Sequence, residues 1–360
     1  MVTPLYAWVY EEPFHSISVA STTTLSVISN TLLLFIIFTT PSTSVGPYRY
    51  LLAVFAVCDV ITSFAHAALQ PLCHLTVSGL YFFPRHVGIV IGGQSFDTIF
   101  CLIFIATYYQ TFLILAYHYV YRATTVSFGI KRSFTDYWSP KHWIILGVVV
   151  NILYIAGFMG VCIFAFIPSD ETRALVPPEI FELYGADLQD VNSGFAVISV
   201  WRPTTNGEMV LHVPSLIALF MLLSLFGGTA IVIVYCIWRI NGVIMATDNH
   251  FTGKTRKMQL DLFHALLIQT AIPVLFSYLP LATILVFPVA SGISLGPLGN
   301  VLFSITSIFP SVDAFFVLFF IGRFRIAVIR LFRLPFDAHT GSSVDTHTTE
   351  LKRQERSSRF

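Results

Sequence analysis

Seven apolar runs of 24–27 residues divide the chain: 16–39, 49–72, 94–119, 142–166, 212–238, 262–287 and 297–321. About 20 consecutive apolar residues suffice to cross a bilayer. In lipid the backbone has no water to bond, so each run is predicted to be a helix. The pattern therefore predicts an all-α membrane protein, a bundle of seven transmembrane helices. Its expected parts are an N-terminal segment (1–15), a membrane domain (16–334) and a polar tail (335–360).

The connections are short except for 167–211. That stretch opens with "IPSDETRALVPPEIFELYGADLQD" and continues with "FAVISVW" and "EMVLHV", split by the turn-like "RPTTNG". Alternation of period two around a turn predicts a β-hairpin, which is either a lid over the bundle's mouth or a solvated connector. After the seventh run, "GRFRIAVIRLFRLP" sets Phe324, Val328, Leu331 and Phe332 on one helical side and Arg323, Arg330 and Arg333 on another. This predicts a short amphipathic helix over 323–334, lying on the membrane surface against lipid. Segment 335–360 is rich in Ser and Thr, has few large apolar residues and reads as disordered.

Composition agrees: 55% of residues are hydrophobic and only 11% charged, against about 25% charged in soluble domains. The net charge of +1 conceals an asymmetry. Of the 20 Lys and Arg residues, all but Arg85, Arg173 and Arg202 fall on one side of the membrane if the N-terminus is outside. Basic residues stay cytoplasmic, so the expected topology is N-terminus outside and C-terminus inside. Nothing in this balance points to a nucleic-acid partner. The first run reads as an uncleaved signal anchor. All five cysteines lie in or at the ends of apolar runs and are expected to be buried small hydrophobes. The 167–211 loop holds no cysteine, so no disulfide can tie it to the third helix.

Polar residues inside the runs carry the candidate chemistry. Asp313 lies ten residues before Arg323, Asp59 ten past Arg49, and Asn30 ten before Thr40. At about 1.5 Å per residue all three sit roughly 15 Å into the membrane, where a lone carboxylate costs roughly 3 kcal/mol. On neighbouring helices they would form one cluster. Two carboxylates so close resist joint ionisation and would share a proton or hold a cation. The cluster is either a state-sensitive switch or a static network. Asp97 falls at the outer lip of the third helix, where an exposed carboxylate is cheap. Asp97, Cys101, Phe104 and Tyr108 share one face by their spacing and either line a ligand pocket or pack between helices. Pro71, Pro214, Pro273 and Pro310 punctuate helices. Pro273 and Pro310 are interior, where proline removes a backbone hydrogen bond, and Pro273 is placed for a hinge.

Four stretches resemble one family. "GPYRYLLAVFAVCDV" looks like the entry to helix 2 of nematode seven-transmembrane chemoreceptors of the Str type, and "YHYVYR" (117–122) like their inner end of helix 3. "LFHALLIQTAIPVLFSYLP" (262–280) matches at Leu262, Phe263, Ala265, Leu266, Gln269, Pro273 and Pro280, and "FPSVDAFFVLFFIGRFR" resembles the helix 7 pattern. Two departures stand out: Ala314 replaces the usual proline after the helix 7 aspartate, and Tyr121-Arg122-Ala123 stands where rhodopsin-type receptors have an acidic-Arg-aromatic triplet and leaves the family's Tyr-Arg-Tyr incomplete. The resemblance implies a rhodopsin-like bundle that senses a small environmental molecule at the ciliary membrane of a sensory neuron and couples to a heterotrimeric G protein. The inner basic residues Lys254, Arg256 and Lys257 would face that G protein. Arg122 either joins them or anchors to headgroups. No cofactor is expected, and no metal beyond a cation at Asp59 and Asp313. The chain has no G-x-S-x-G, H-E-x-x-H, C-x-x-C or phosphate loop, so an enzyme is not expected. The alternative is a ligand-gated channel or a transporter, but no run carries polar residues along its length and no internal repeat is visible.

Overall fold

The computed structural model describes residues 6–40, 48–86, 88, 90–91, 94–128, 140–204, 206, 208–246, 260, 263–264, 266–268 and 270–332. Among these, seven helices are long and apolar enough to cross a membrane. They are α1 (Phe14–Thr39), α2 (Tyr48–Leu69), α3 (Asp97–Phe128), α4 (Pro140–Ala165), α7 (Val213–Ala246), α8 (Leu266–Ser291) and α9 (Leu298–Phe320). Short helices α5 (Asp170–Ala174) and α6 (Pro178–Tyr184) lie between α4 and α7, and α10 (Gly322–Leu331) follows α9. The predicted tail 335–360, residues 1–5 of the N-terminal segment, and Lys254, Arg256 and Lys257 lie outside the described residues.

Helix ends follow local chemistry. α1 stops at Thr39 because Thr40, which precedes Pro41, turns extended (ψ 134°); a residue before proline avoids the helical region. α2 ends at Leu69, short of the expected 72. Pro71 opens a strand, and Gln70 caps the helix with φ 44°. Pro214 sits in the first turn of α7, where its missing N–H is harmless. α9 runs unbroken through Ala314. α8 contains a π-helical turn at Val274–Tyr278, directly after Pro273; such wide turns often mark functional positions.

One end of the bundle carries a sheet that the apolar runs did not reveal. β1 (Pro71–Leu75), β2 (Gly79–Pro84) and β5 (Ala196–Ser199) form an antiparallel sheet in the order β1-β2-β5. Between β2 and α3 lies a small pair, β3 (Val90–Ile91) with β4 (Gln94–Ser95). The expected hairpin is half as long as the alternation suggested. Only β6 (Trp201–Pro203) pairs with β7 (Met209–Leu211), and β5 crosses instead to β2.

This sheet end has its own apolar core. Leu72, Tyr81 and Phe83 meet Ile180, Leu188 and Phe195 there, all at most 1% exposed. All five cysteines are free, so a charged side chain does the joining. Arg173 donates from Nη1 to the carbonyls of Leu188 (3.2 Å), Asp190 (2.7 Å) and Ser193 (2.8 Å) and stacks over the Phe195 ring. Burial pulls its pKa down and Asp170 and Asp190 push it back up.

Candidate functional site

The predicted stripe on α3 divides in two. Asp97 is fully buried rather than solvated at a lip. Gly194 packs over the start of α3 so closely that an added Cβ would lie 2.6 Å from the Asp97 Cβ, and the Gly88 N–H donates to Oδ2 at 2.6 Å. The loop that buries Asp97 is about a hundred residues away in sequence, which is why counting along the helix placed it in water. Cys101 points at β2, with its thiol 3.9 Å from the Phe82 carbonyl. Both belong to the seam between bundle and sheet.

Phe104 and Tyr108 lie deeper, in a cleft walled by α1, α2, α3 and α9. Thr22 and Thr23 come from α1, Thr62, Ser63 and His66 from α2, and Phe303, Thr306, Ser307 and Pro310 from α9. Three rings roof it: Phe82 of β2 stacks on Phe104 (5.9 Å) and meets Phe303 edge-on (5.4 Å). His66 packs between Phe104 and Phe303. The Tyr108 hydroxyl is buried and makes no hydrogen bond among the described residues, though Ser277 and Thr306 stand near it. The cleft encloses about 10 Å³, room for about one water. The sequence reading missed the hydroxyl side chains and His66; their recurrence at helical spacing on runs 1, 2 and 7 was the available signal.

The opposite side of the bundle is filled. Phe112, Phe226 and Tyr278 pack ring to ring at 4.4–5.2 Å, and the Tyr278 hydroxyl meets Thr229 Oγ1 at 2.9 Å.

Directly below the cleft, away from the sheet, the structure brings Asn30, Asp59 and Asp313 together, each at most 1% exposed. Asn30 Nδ2 donates to the Pro310 carbonyl (2.9 Å) and the Ser26 carbonyl (3.0 Å), and Ser29 Oγ donates to the Ser311 carbonyl (3.1 Å). Ser63 Oγ donates to the Asp59 carbonyl (2.8 Å) and lies 2.7 Å from Ser26 Oγ. The two carboxyl groups are close enough for their charges to interact. Hydroxyls and backbone carbonyls thus tie α1, α2 and α9 around the acid pair, while both Asp59 carboxyl oxygens accept no hydrogen bond among the described residues.

At the far end, Arg122 is buried (8% exposed) rather than splayed outward. Nearby, the Tyr119 hydroxyl donates to the Leu266 carbonyl (3.1 Å) and is hydrogen-bonded to Thr270 Oγ1, so α3 is fastened to α8 one turn before Pro273.

The family model for the serpentine type 7TM GPCR chemoreceptor Str matches residues 15–329. The chain belongs to this family. It is a G-protein-coupled chemosensory receptor and a multi-pass membrane protein, not an enzyme. It is similar to serpentine receptor class r-10 of Caenorhabditis briggsae, 22% identical over 298 residues (81% of this chain, 82% of that protein). It is also similar to G-protein coupled receptor str-33 of Caenorhabditis elegans, 18% identical over 328 residues (91% and 92%). Squid rhodopsin has the same fold, with a TM-score of 0.58 at 12% identity over 92% of this chain and 91% of that one.

Proposed function

We propose that this Str receptor binds a small, neutral environmental molecule in the cleft between α1, α2, α3 and α9 and relays the event to a heterotrimeric G protein at its α10 end. The observation that carries this reading is that two residues belong to both cleft and acid cluster. Ser63 and Pro310 line the cleft, while Ser63 bonds the Asp59 carbonyl and the Pro310 carbonyl holds Asn30. A ligand that parts α2 from α9 must disturb the cluster.

The cleft walls carry no charged side chain, so the ligand is neutral, with apolar bulk for Phe104 and Phe303 and a polar group for Tyr108 or His66. Entry separates Phe82 from those rings, with Asp97 and Cys101 anchoring the sheet that moves. Asp59, Asp313 and Asn30 act as the switch, holding a shared proton or a cation that one state prefers. Pro273, with its π-turn, and Pro310 supply the bends, and Arg122 swings out to join Lys254, Arg256 and Lys257 against the G protein. In this reading the N-terminus is outside, supported by Arg49, Arg122, Lys141 and Arg239 falling toward the expected inner ends of their helices. The receptor works in the ciliary membrane of a chemosensory neuron, a proposal that its kinship with nematode chemoreceptors supports.

The test is expression at a cell surface, display confirmed by staining, and a calcium readout against a broad odorant and metabolite panel, with and without a co-expressed G protein. The expected result is a response that requires the G protein and disappears in Phe303→Trp, which fills the cleft, at unchanged display. A response that persists without G protein and carries membrane current contradicts the reading and favours a channel.

A further inference from the structure

A further cavity lies away from the cleft and shares no residue with it. It is a groove of about 490 Å³ among α1, α2, α3 and α4, walled by Val54, Cys58, Ile114 and Val148, with Tyr50 at its α10 end and the half-buried Asn151 on its α4 wall. Small-molecule sites span roughly 300–1,000 Å³. All these residues sit on membrane-spanning helices, and Val54 and Val148 are about half exposed. The groove therefore opens sideways on hydrocarbon, and its occupant must come from the lipid phase.

Two polar features break the apolar wall. The Asn151 amide makes no hydrogen bond to any described residue. It lies ten residues from Lys141, roughly 15 Å into the membrane, where an amide without a partner is costly. At the α10 end the Arg49 guanidinium stands 4.9 Å over the Tyr50 ring and donates to its hydroxyl at 2.9 Å. None of the ion pairs among the described residues uses Arg49. A cation thus stands beside Tyr50 at the α10 end of the groove, and a combined donor and acceptor sits roughly 15 Å deeper in the membrane than Lys141, counted along α4.

We propose that this groove binds a single-chain acidic lipid bearing a mid-chain hydroxyl, with its carboxylate on Arg49 and its hydroxyl on Asn151. An extended chain advances roughly 1.2 Å per bond, by analogy with the 3.3–3.6 Å spanned by a three-bond residue, so 15 Å corresponds to about 12 bonds. A hydroxyl both donates and accepts, and so satisfies the Asn151 NH₂ and Oδ1 in turn; a ketone would leave Oδ1 unbonded, and a plain acyl chain the whole amide.

The full chain in nanodiscs tests this, with tritiated 12-hydroxyoctadecanoic and octadecanoic acids as probes. Wild type should bind the hydroxylated acid at least about tenfold more tightly, the effect of the hydrogen bonding that its hydroxyl adds. Asn151→Leu, which suits a lipid-facing site and should keep the helical melt, should erase that preference while still binding octadecanoic acid. Arg49→Gln should weaken both acids by the same factor. Equal binding of the two acids by wild type, or a preference that survives Asn151→Leu, overturns the proposal. So does a lipid-free dimer cross-linked through the groove, which would make it an interface between copies.

Discussion

At Gly79 the backbone takes φ 153°, and an added Cβ would stand 1.7 Å from the Ile198 carbonyl oxygen. Only glycine lets β2 close on β5 at this point. Gly79→Ala should therefore open the sheet without touching the bundle. Amide exchange in β2 and β5 should speed up at least tenfold while α3 is unchanged; equal protection in the variant would refute the role.

His74 is a second residue whose chemistry is fixed by its neighbours. The Tyr184 hydroxyl accepts from Asn300 Nδ2 (2.9 Å) and lies 3.2 Å from His74 Nδ1, so it donates there, while Glu179 approaches Nε2 at 3.9 Å. Asn300 Oδ1 also accepts from the Cys73 N–H, so β1, α6 and the start of α9 meet at one knot. Burial lowers the His74 pKa from 6.5 to about 4. Unfolded chain takes up a proton near pH 6.5 and the folded knot resists until about 4. Its stability should thus be complete above pH 6.5, fall across that window and level off below it. Amide protection factors in β1 and α6, corrected for the slower intrinsic exchange in acid, should fall on acidification in wild type and stay flat in His74→Gln; a flat wild-type profile would count against the assignment.

Among the elements, α8 is held on both sides of Pro273, from its lower half and from the end of its π-turn. Tyr119 on α3 bonds Leu266 and Thr270 below Pro273, and Thr229 on α7 bonds Tyr278 above it. If the lower half of α8 swings, the Tyr119 contacts break first. Removing hydrogen bonds worth about 1–3 kcal/mol shifts a two-state equilibrium by roughly 5–150-fold. Tyr119→Phe and Thr270→Val should each raise basal G-protein activation several-fold at equal surface display. Unchanged or lower basal activity would argue that this fastening is not the restraint on α8.

How much was legible in the sequence differs by element. The seven helices were readable because lipid forces long apolar runs, and Asn30, Asp59 and Asp313 were found because each is one polar residue counted from a charge or a proline at the membrane face. The sheet was not readable. β1 is buried along its whole length and follows an apolar run with no change of composition, so "PLCHL" looked like the end of a helix. β5 alternates as a hairpin strand does, yet its partner lies more than a hundred residues back in β2. The burial of Asp97 and Arg122 likewise depends on distant segments that no local pattern reports.

For the molecule as a whole, a nearly closed cleft stands next to an acid pair whose surrounding hydroxyls and carbonyls tie α1, α2 and α9 together, and α8 carries a π-turn after Pro273. Ser63 and Pro310 line the cleft and bond the Asp59 backbone carbonyl and the Asn30 amide, so the proposed ligand would reach the acids through these two residues. The most direct measurement is a double-mutant cycle on G-protein activation, using Asp59→Asn, Asp313→Asn and the double variant, each normalised to surface display. If the acids form one device, the double variant should signal no worse than the more impaired single variant, because breaking the pair once already abolishes it. Losses that simply add would contradict the shared site and leave Asp59 and Asp313 as separate buried acids.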